Sequence, residues 1–166
     1  MADDAMFTLA DVMAMRTPPV LLTTWKLFVP GAPAPQGSKR HVGGGRMIES
    51  SKAVGPWRER VALAAHESGM TMLSGAITVE LLFVLPRPTS TPKRRTPPAV
   101  KRPDVDKLAR AVLDALTGIA FDDDSRVIEL HARKRLAAIG ETTGVHMELA
   151  EASSPLPDTA SPAQEL

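Results

Sequence analysis

Cysteine is absent from this chain of 166 residues, so no disulfide framework and no thiolate metal site can form. There is also no continuous apolar run of signal-peptide or membrane-spanning length, and the opening MADDAMFTLADVMAMRTPPVLL is acidic near its start. A cytoplasmic protein without membrane contact is the expectation. Glycines 43–45 have neither the spacing of a dinucleotide fingerprint nor the Lys-Ser/Thr ending of a P-loop. His41, His66, His131 and His146 stand apart and make no HExxH pattern. An EF-hand loop opening at Asp122 would carry Arg126 at its fifth position and Arg133 where the bidentate glutamate belongs, which excludes that site too.

What is present suits one domain with a real core. The 15 prolines and 11 glycines cluster, which points to one folded body with loops and tails. The formal charge of +1 conceals an uneven distribution: residues 1–23 carry −2 and residues 151–166 carry −3, which leaves +6 for residues 24–150. A basic body permits a polyanionic partner without requiring one.

Residues 1–23, ending at Pro18 and Pro19, read as an N-terminal extension, and residues 151–166 have the composition of a disordered acidic tail. Between them the apolar TWKLFVP suits a first strand with Trp25, Leu27 and Val29 on one face. The following GAPAPQGSKRHVGGGRM is too rich in Pro and Gly for a regular element, and its Lys39 and Arg40 suit either a phosphate backbone or plain solvent. Residues 51–67 read as a helix with Trp57, Val61, Ala64 and Ala65 at helical spacing and Lys52, Arg58 and Arg60 on the other side. AITVELLFVL, residues 76–85, reads as a buried strand.

Residues 86–102 change character, with five prolines and six basic residues (Arg87, Lys93, Arg94, Arg95, Lys101, Arg102) and no acidic one. Proline keeps such a stretch extended, as a solvated loop or as a phosphate-holding one. Next comes the clearest element: Val105, Leu108, Ala109, Val112, Leu113 and Leu116 form one apolar helical stripe, stopped by Gly118. Asp106, Arg110 and Asp114 share another face, with Asp114 and Arg110 spaced as an i, i+4 pair. SRVIELHARKRL then suits a strand with Ile128, Leu130 and Ala132 on one side and Lys134 at its far end, and residues 144–150 a last strand. The expected fold is a single α+β domain with a mixed sheet and two main helices, in the order β-α-β-α-β-β.

Six carboxylates fall within residues 101–127, KRPDVDKLARAVLDALTGIAFDDDSRV, and five of them crowd the two ends of the helix, Asp104 and Asp106 at its start and Asp122, Asp123 and Asp124 after it. Asp104 suits a helix cap and Asp106 the helix dipole. Three aspartates in a row, Asp122, Asp123 and Asp124, repel one another unless a cation or basic group lies nearby. Should the helix start and the strand start converge, oxygen ligands without sulfur or paired histidine would favour Mg2+ or Mn2+ over zinc, the equipment of phosphodiester chemistry.

The run KRPDVDKLARAVLDALTG followed by DDDSRV resembles the signature of the RusA-type endodeoxyribonucleases, Holliday junction resolvases often carried by phages and prophages. The likeness is dense over residues 101–135 and looser over 24–150. It implies catalytic roles for Asp104, Asp106, Asp124 and Arg110 and metal binding by Asp104, Asp106 and Asp124, with Asp123 in support and Asp122 an extra residue. Arg110 falls where the family has a lysine, Lys107 where it has asparagine, and Arg126 where glutamine is common. An arginine keeps the charge for phosphate contact but not the compact ammonium, so proton transfer by Arg110 is not expected. The resemblance further implies Mg2+ as cofactor, with Mn2+ as a substitute, a homodimer, and a four-way DNA junction as substrate. Lys39, Arg40, Lys93, Arg94, Arg95, Lys101, Arg102, Lys107 and Lys134 are the candidate DNA contacts. Two alternatives stay open: a junction-binding protein without cleavage, and a Mg2+-dependent phosphohydrolase of small nucleotides.

Overall fold

The structure, a computed structural model, describes residues 21–37, 39–41, 47–49 and 52–152. Most of both expected tails lies outside the described residues. The elements are β1 (Leu21–Pro30), β2 (Lys39–His41), β3 (Met47–Glu49), α1 (Val54–Glu67), β4 (Ala76–Leu85), α2 (Val105–Leu116), a 3-10 turn (Asp124–Arg126), β5 (Val127–Leu136) and β6 (Gly144–Ala152). Four strands make a mixed sheet in the order β1-β6-β4-β5, in which only β4 and β5 run parallel. The α+β class, the mixed sheet and the two helices are therefore as expected.

Alternation builds the sheet. Trp25, Leu27 and Val29 of β1 lie beside Leu149, Met147 and Val145 of β6, and β4 adds Ile77, Val79, Leu81 and Phe83 to the same face. Both helices cover that face, α1 with Trp57, Val61 and Ala65, α2 with Leu108, Val112 and Leu116. Ala111 and Ala115 of α2 are buried as well, so the apolar stripe is wider than its large residues suggest. Leu108 is fully buried, and truncating such a leucine to alanine costs about 2–5 kcal/mol. The helix ends at Thr117, and Gly118 takes the positive φ of 83° that lets the chain turn away.

Three expectations need correction. Residues 39–41 and 47–49 form a two-stranded hairpin inside the stretch expected to be irregular. The prolines before it, Pro30, Pro33 and Pro35, stop short of these two segments, whose backbone N–H groups remain available for pairing. On β5 the faces shift. Ile77 pairs with Val127 but Thr78 pairs with Glu129, so Ile128 is an extra residue that bulges out and is 65% exposed. Val127 thereby joins Ala132 and Leu136 against the core, while Leu130 stays 42% exposed at the sheet edge. The third correction concerns charge pairing. Asp114 does not pair with Arg110; its partner is Arg58 of α1, which turns to the seam between the helices and also donates to the Gln36 side chain.

The turn from β5 to β6 is closed by Glu141, whose carboxylate accepts from the Arg135 guanidinium at 2.6 Å and from the Ala138 N–H at 2.7 Å. The Arg135 hydrogen bond, then that of Ala138, holds the Glu141 carboxyl down at about 2. A depressed folded-state pKa contributes stability at neutral pH that disappears as the pH falls through it. Urea unfolding of the wild type is expected to weaken between about pH 4.5 and pH 2, with a shallower fall in Glu141→Gln over that window. Equal slopes for the two proteins would show that the turn contributes nothing to acid stability.

Candidate active site

The start of α2 is fixed from three directions. The Gln36 N–H donates to the Lys107 carbonyl at 2.9 Å, tying the loop after β1 to the first turn. Lys134 of β5 donates from Nζ to the Pro103 carbonyl at 2.7 Å and to the Lys101 carbonyl at 3.0 Å. The 86–103 loop is itself pinned by Arg87, which donates to Thr96 Oγ1 at 2.8 Å, to the Arg95 carbonyl at 3.0 Å and to the Ala137 carbonyl at 3.3 Å. Among the described residues this loop has no helix or strand, as its prolines require. Side-chain to backbone bonds replace the missing ladder.

Asp104 occupies the cap position with extended φ and ψ of −73° and 140°, yet its side chain makes no capping bond. Its carboxylate lies 3.5 Å from Lys107 Nζ, and both side chains are about half exposed. Asp106 and Arg110 follow on the exposed side of α2, and neither has a hydrogen-bond or ion-pair partner among the described residues.

At the other end of α2 the three consecutive aspartates separate into different roles. Asp122 pairs with Arg126, and that hydrogen bond holds its carboxyl down at about 2. Arg126 also donates to the Ser74 carbonyl, so the Asp122–Arg126 pair ties the turn to the segment that leads into β4. Asp123 Oδ1 accepts the Ser125 N–H at 2.8 Å and so caps the 3-10 turn, and the Ser125 side chain, then its N–H, lowers the Asp123 pKa. Asp124 is exposed and has no partner among the described residues. The basic group that three adjacent aspartates require is thus Arg126, consumed by the residue that exceeds the family pattern.

The two acidic groups do not meet within one chain. α2 runs back along the sheet between them, and its twelve residues at 1.5 Å each separate Asp104 from Asp122–Asp124 by about 18 Å. Consistently, no group of three or more His, Asp or Glu is placed to hold a metal among the described residues. Asp104 and Asp106 supply two oxygen donors at one end, and Asp124 supplies one at the other.

The candidate DNA contacts also divide. Lys93, Arg94, Arg95, Lys101 and Arg102 are exposed on the loop. Lys134 is half-buried and spent on the loop carbonyls. Lys39 and Arg40 lie on β2, but their side chains are outside the described residues. Sequence reasoning missed Arg87, Arg58 and Gln36 as the residues that position the site. Each is an isolated polar residue whose partner is a carbonyl or carboxylate elsewhere in the fold.

A basic, proline-stiffened loop thus stands beside a helix tip that bears Asp104, paired with Lys107, and the unpartnered Asp106, an arrangement suited to a polyanion. The family model of endodeoxyribonuclease RusA matches residues 30–149, and the chain belongs to that family of junction-resolving endonucleases. It is also similar to the uncharacterized protein YqaN of Bacillus subtilis (strain 168), at 29% identity over 121 residues, 66% of this chain and 85% of the relative.

Lys134→Met removes the donor shared by two loop carbonyls and is expected to lower stability by about 1 kcal/mol in urea unfolding. Lys101→Met removes an amine without a described partner and should leave the midpoint in place. Equal midpoints for the two variants would refute the tether.

Proposed function

We propose that the chain is a Mg2+-dependent, homodimeric endonuclease that resolves four-way DNA junctions in recombination and repair, acting in the bacterial cytoplasm from a phage or prophage gene. The observation that carries this reading is the sorting of charges. Asp114, Asp122 and Asp123 are engaged in the fold, whereas Asp106, Arg110 and Asp124 have no described partner. Exposed charges left unengaged, Asp106 and Arg110 in the loop-side half of α2 and Asp124 beyond its far end, suit work on a ligand.

The donor set fits a hard divalent cation, being carboxylate oxygen without sulfur. Asp104 and Asp106 from one chain and Asp124 from a second copy would hold it. β5 offers the means, because it is an edge strand whose outer side carries exposed Ile128 and Leu130. Antiparallel pairing of two β5 edges about a two-fold axis brings the start of one strand, which follows Asp124, beside the end of the other, where Lys134 holds Pro103 and hence Asp104. A two-fold enzyme also matches a two-fold junction. A bound Mg2+ supplies Lewis-acid polarisation of the phosphate and activation of water.

The chain's own residues do the positioning. Arg110, one turn beyond Asp106, contacts phosphate and, as a guanidinium, does not exchange protons. Lys107 neutralises Asp104 and stands ready for a phosphate oxygen. The loop cations Lys93, Arg94, Arg95, Lys101 and Arg102 track the DNA backbone, with Lys39 and Arg40 on the hairpin.

On a labelled synthetic junction, Asp106→Asn and Asp124→Asn should each lower cleavage roughly 100-fold or more. Mixed after co-refolding, the two should regain roughly a quarter of wild-type nicking, because half the dimers are mixed and each of these holds one intact site. Undiminished cleavage by either variant sinks its catalytic assignment, and absence of recovery sinks the two-chain site. Neutralising Lys93, Arg94 and Arg95 together should flatten the salt dependence of junction binding, by roughly 0.9 in log-log slope for each phosphate they neutralise in the wild type. An unaltered slope would place all three in plain solvent.

A further inference from the structure

A cavity of about 960 Å3 opens beside the start of α2. Pro33 and Pro35 line it from the loop after β1, Pro88, Pro92, Pro97 and Pro98 from the 86–103 loop, and Leu85 and Leu136 from the ends of the two parallel strands. Lys101, Arg102, Asp104 and Lys107 also line it, at the helix tip. A proline ring presents C–H faces and no N–H donor, so these walls offer dispersion contact to a flat apolar group. Three cations against one carboxylate favour an anion alongside. Apolar walls with a cationic end match a nucleotide, whose base is flat and whose phosphate is charged.

We propose that this proline-walled cavity receives a nucleobase extruded from the DNA at the strand crossing, with the adjoining phosphate on Lys101, Arg102 or Lys107; the inference rests on the junction reading above. A stacked duplex cannot present a base to a cavity of this kind, so the nucleotide must leave the helix. Unstacking costs a few kcal/mol and least where pairing is already interrupted, as at a strand crossing. The volume is at the upper end of the range of about 300–1,000 Å3 for small-molecule sites, which accommodates a base with its sugar. The cavity is also preformed. Arg87 fixes the loop through Thr96 and the Arg95 carbonyl, and Lys134 fixes the segment that ends at Pro103, so little ordering is required on binding.

The test uses 2-aminopurine, whose fluorescence rises when it leaves the base stack, in a four-way junction bound by the full chain in EDTA. With wild type, the signal should rise several-fold when the probe sits at the crossing and stay flat when it sits mid-arm. Ala99→Phe, which fills the cavity, should abolish the rise while the junction is still bound. Val100→Asn gives the same test at a position 86% exposed, where folding is not at risk, and should reduce the rise. A bound junction with no rise in wild type overturns the proposal and leaves the endonuclease reading intact. So does a rise that neither variant diminishes. Binding of free 2-aminopurine deoxyribonucleoside monophosphate that Ala99→Phe removes, with junction fluorescence unaffected, overturns it in favour of a free-nucleotide site. Failure to bind the junction at all overturns both readings together.

Discussion

Two neighbouring strands that run the same way cannot be joined by a hairpin, because the chain must return the full length of the sheet before the second strand begins. The β4–β5 pair imposes that condition here, and the return path carries the proposed site. It comprises the proline-rich loop, α2 and the acidic turn. The loop lies where β4 ends, the turn where β5 begins, and the apolar stripe of α2 holds them apart by packing on the sheet. Everything proposed about catalysis follows from that spacing. Asp104 and Asp124 are placed at opposite ends of α2, so the cation proposed for them calls for two chains.

Holding the return path in place consumes charge. Arg87, Lys134, Arg58 and Arg126 each carry a formal positive charge that the +6 body includes, yet each is bound to carbonyls or carboxylates of the fold. Most cations that remain without described partners lie on the loop, with Arg110 on α2, Lys52 before α1 and Arg133 on β5, so the effective electropositive surface is narrower than the sum of charges implies. A loop without ladder hydrogen bonds is mobile unless its carbonyls find other donors. Arginine and lysine serve because one side chain reaches several carbonyls at once.

Much of the fold is legible in the sequence because periodicity reports local geometry. The stripe from Val105 to Leu116, the alternation of Trp25, Leu27 and Val29, and Gly118 at its positive φ all follow from spacing within a few residues. The failures share a cause. Ile128 escapes prediction because a bulge arises between two strands and leaves no mark in either. Asp114 has a neighbour in sequence at Arg110, whereas Arg58, distant in the chain, reaches it across the helix seam. The cavity is invisible for the same reason, since its prolines come from two loops that only the tertiary fold brings together. Of the candidate site, the residue types are readable and the distances between them are not.

The ion pair of Asp122 with Arg126 bears on how such a sequence can change. By the resemblance read in the sequence, Asp122 is the acidic residue beyond the family pattern, and Arg126 stands where glutamine is common. Replacing Arg126 alone would release a second carboxylate beside Asp124, and replacing Asp122 alone would leave a guanidinium free to capture Asp124. Either single step disturbs the neighbouring Asp124, while the double exchange is electrostatically neutral. The two positions therefore form one unit of inheritance, and lineages should differ at both or at neither.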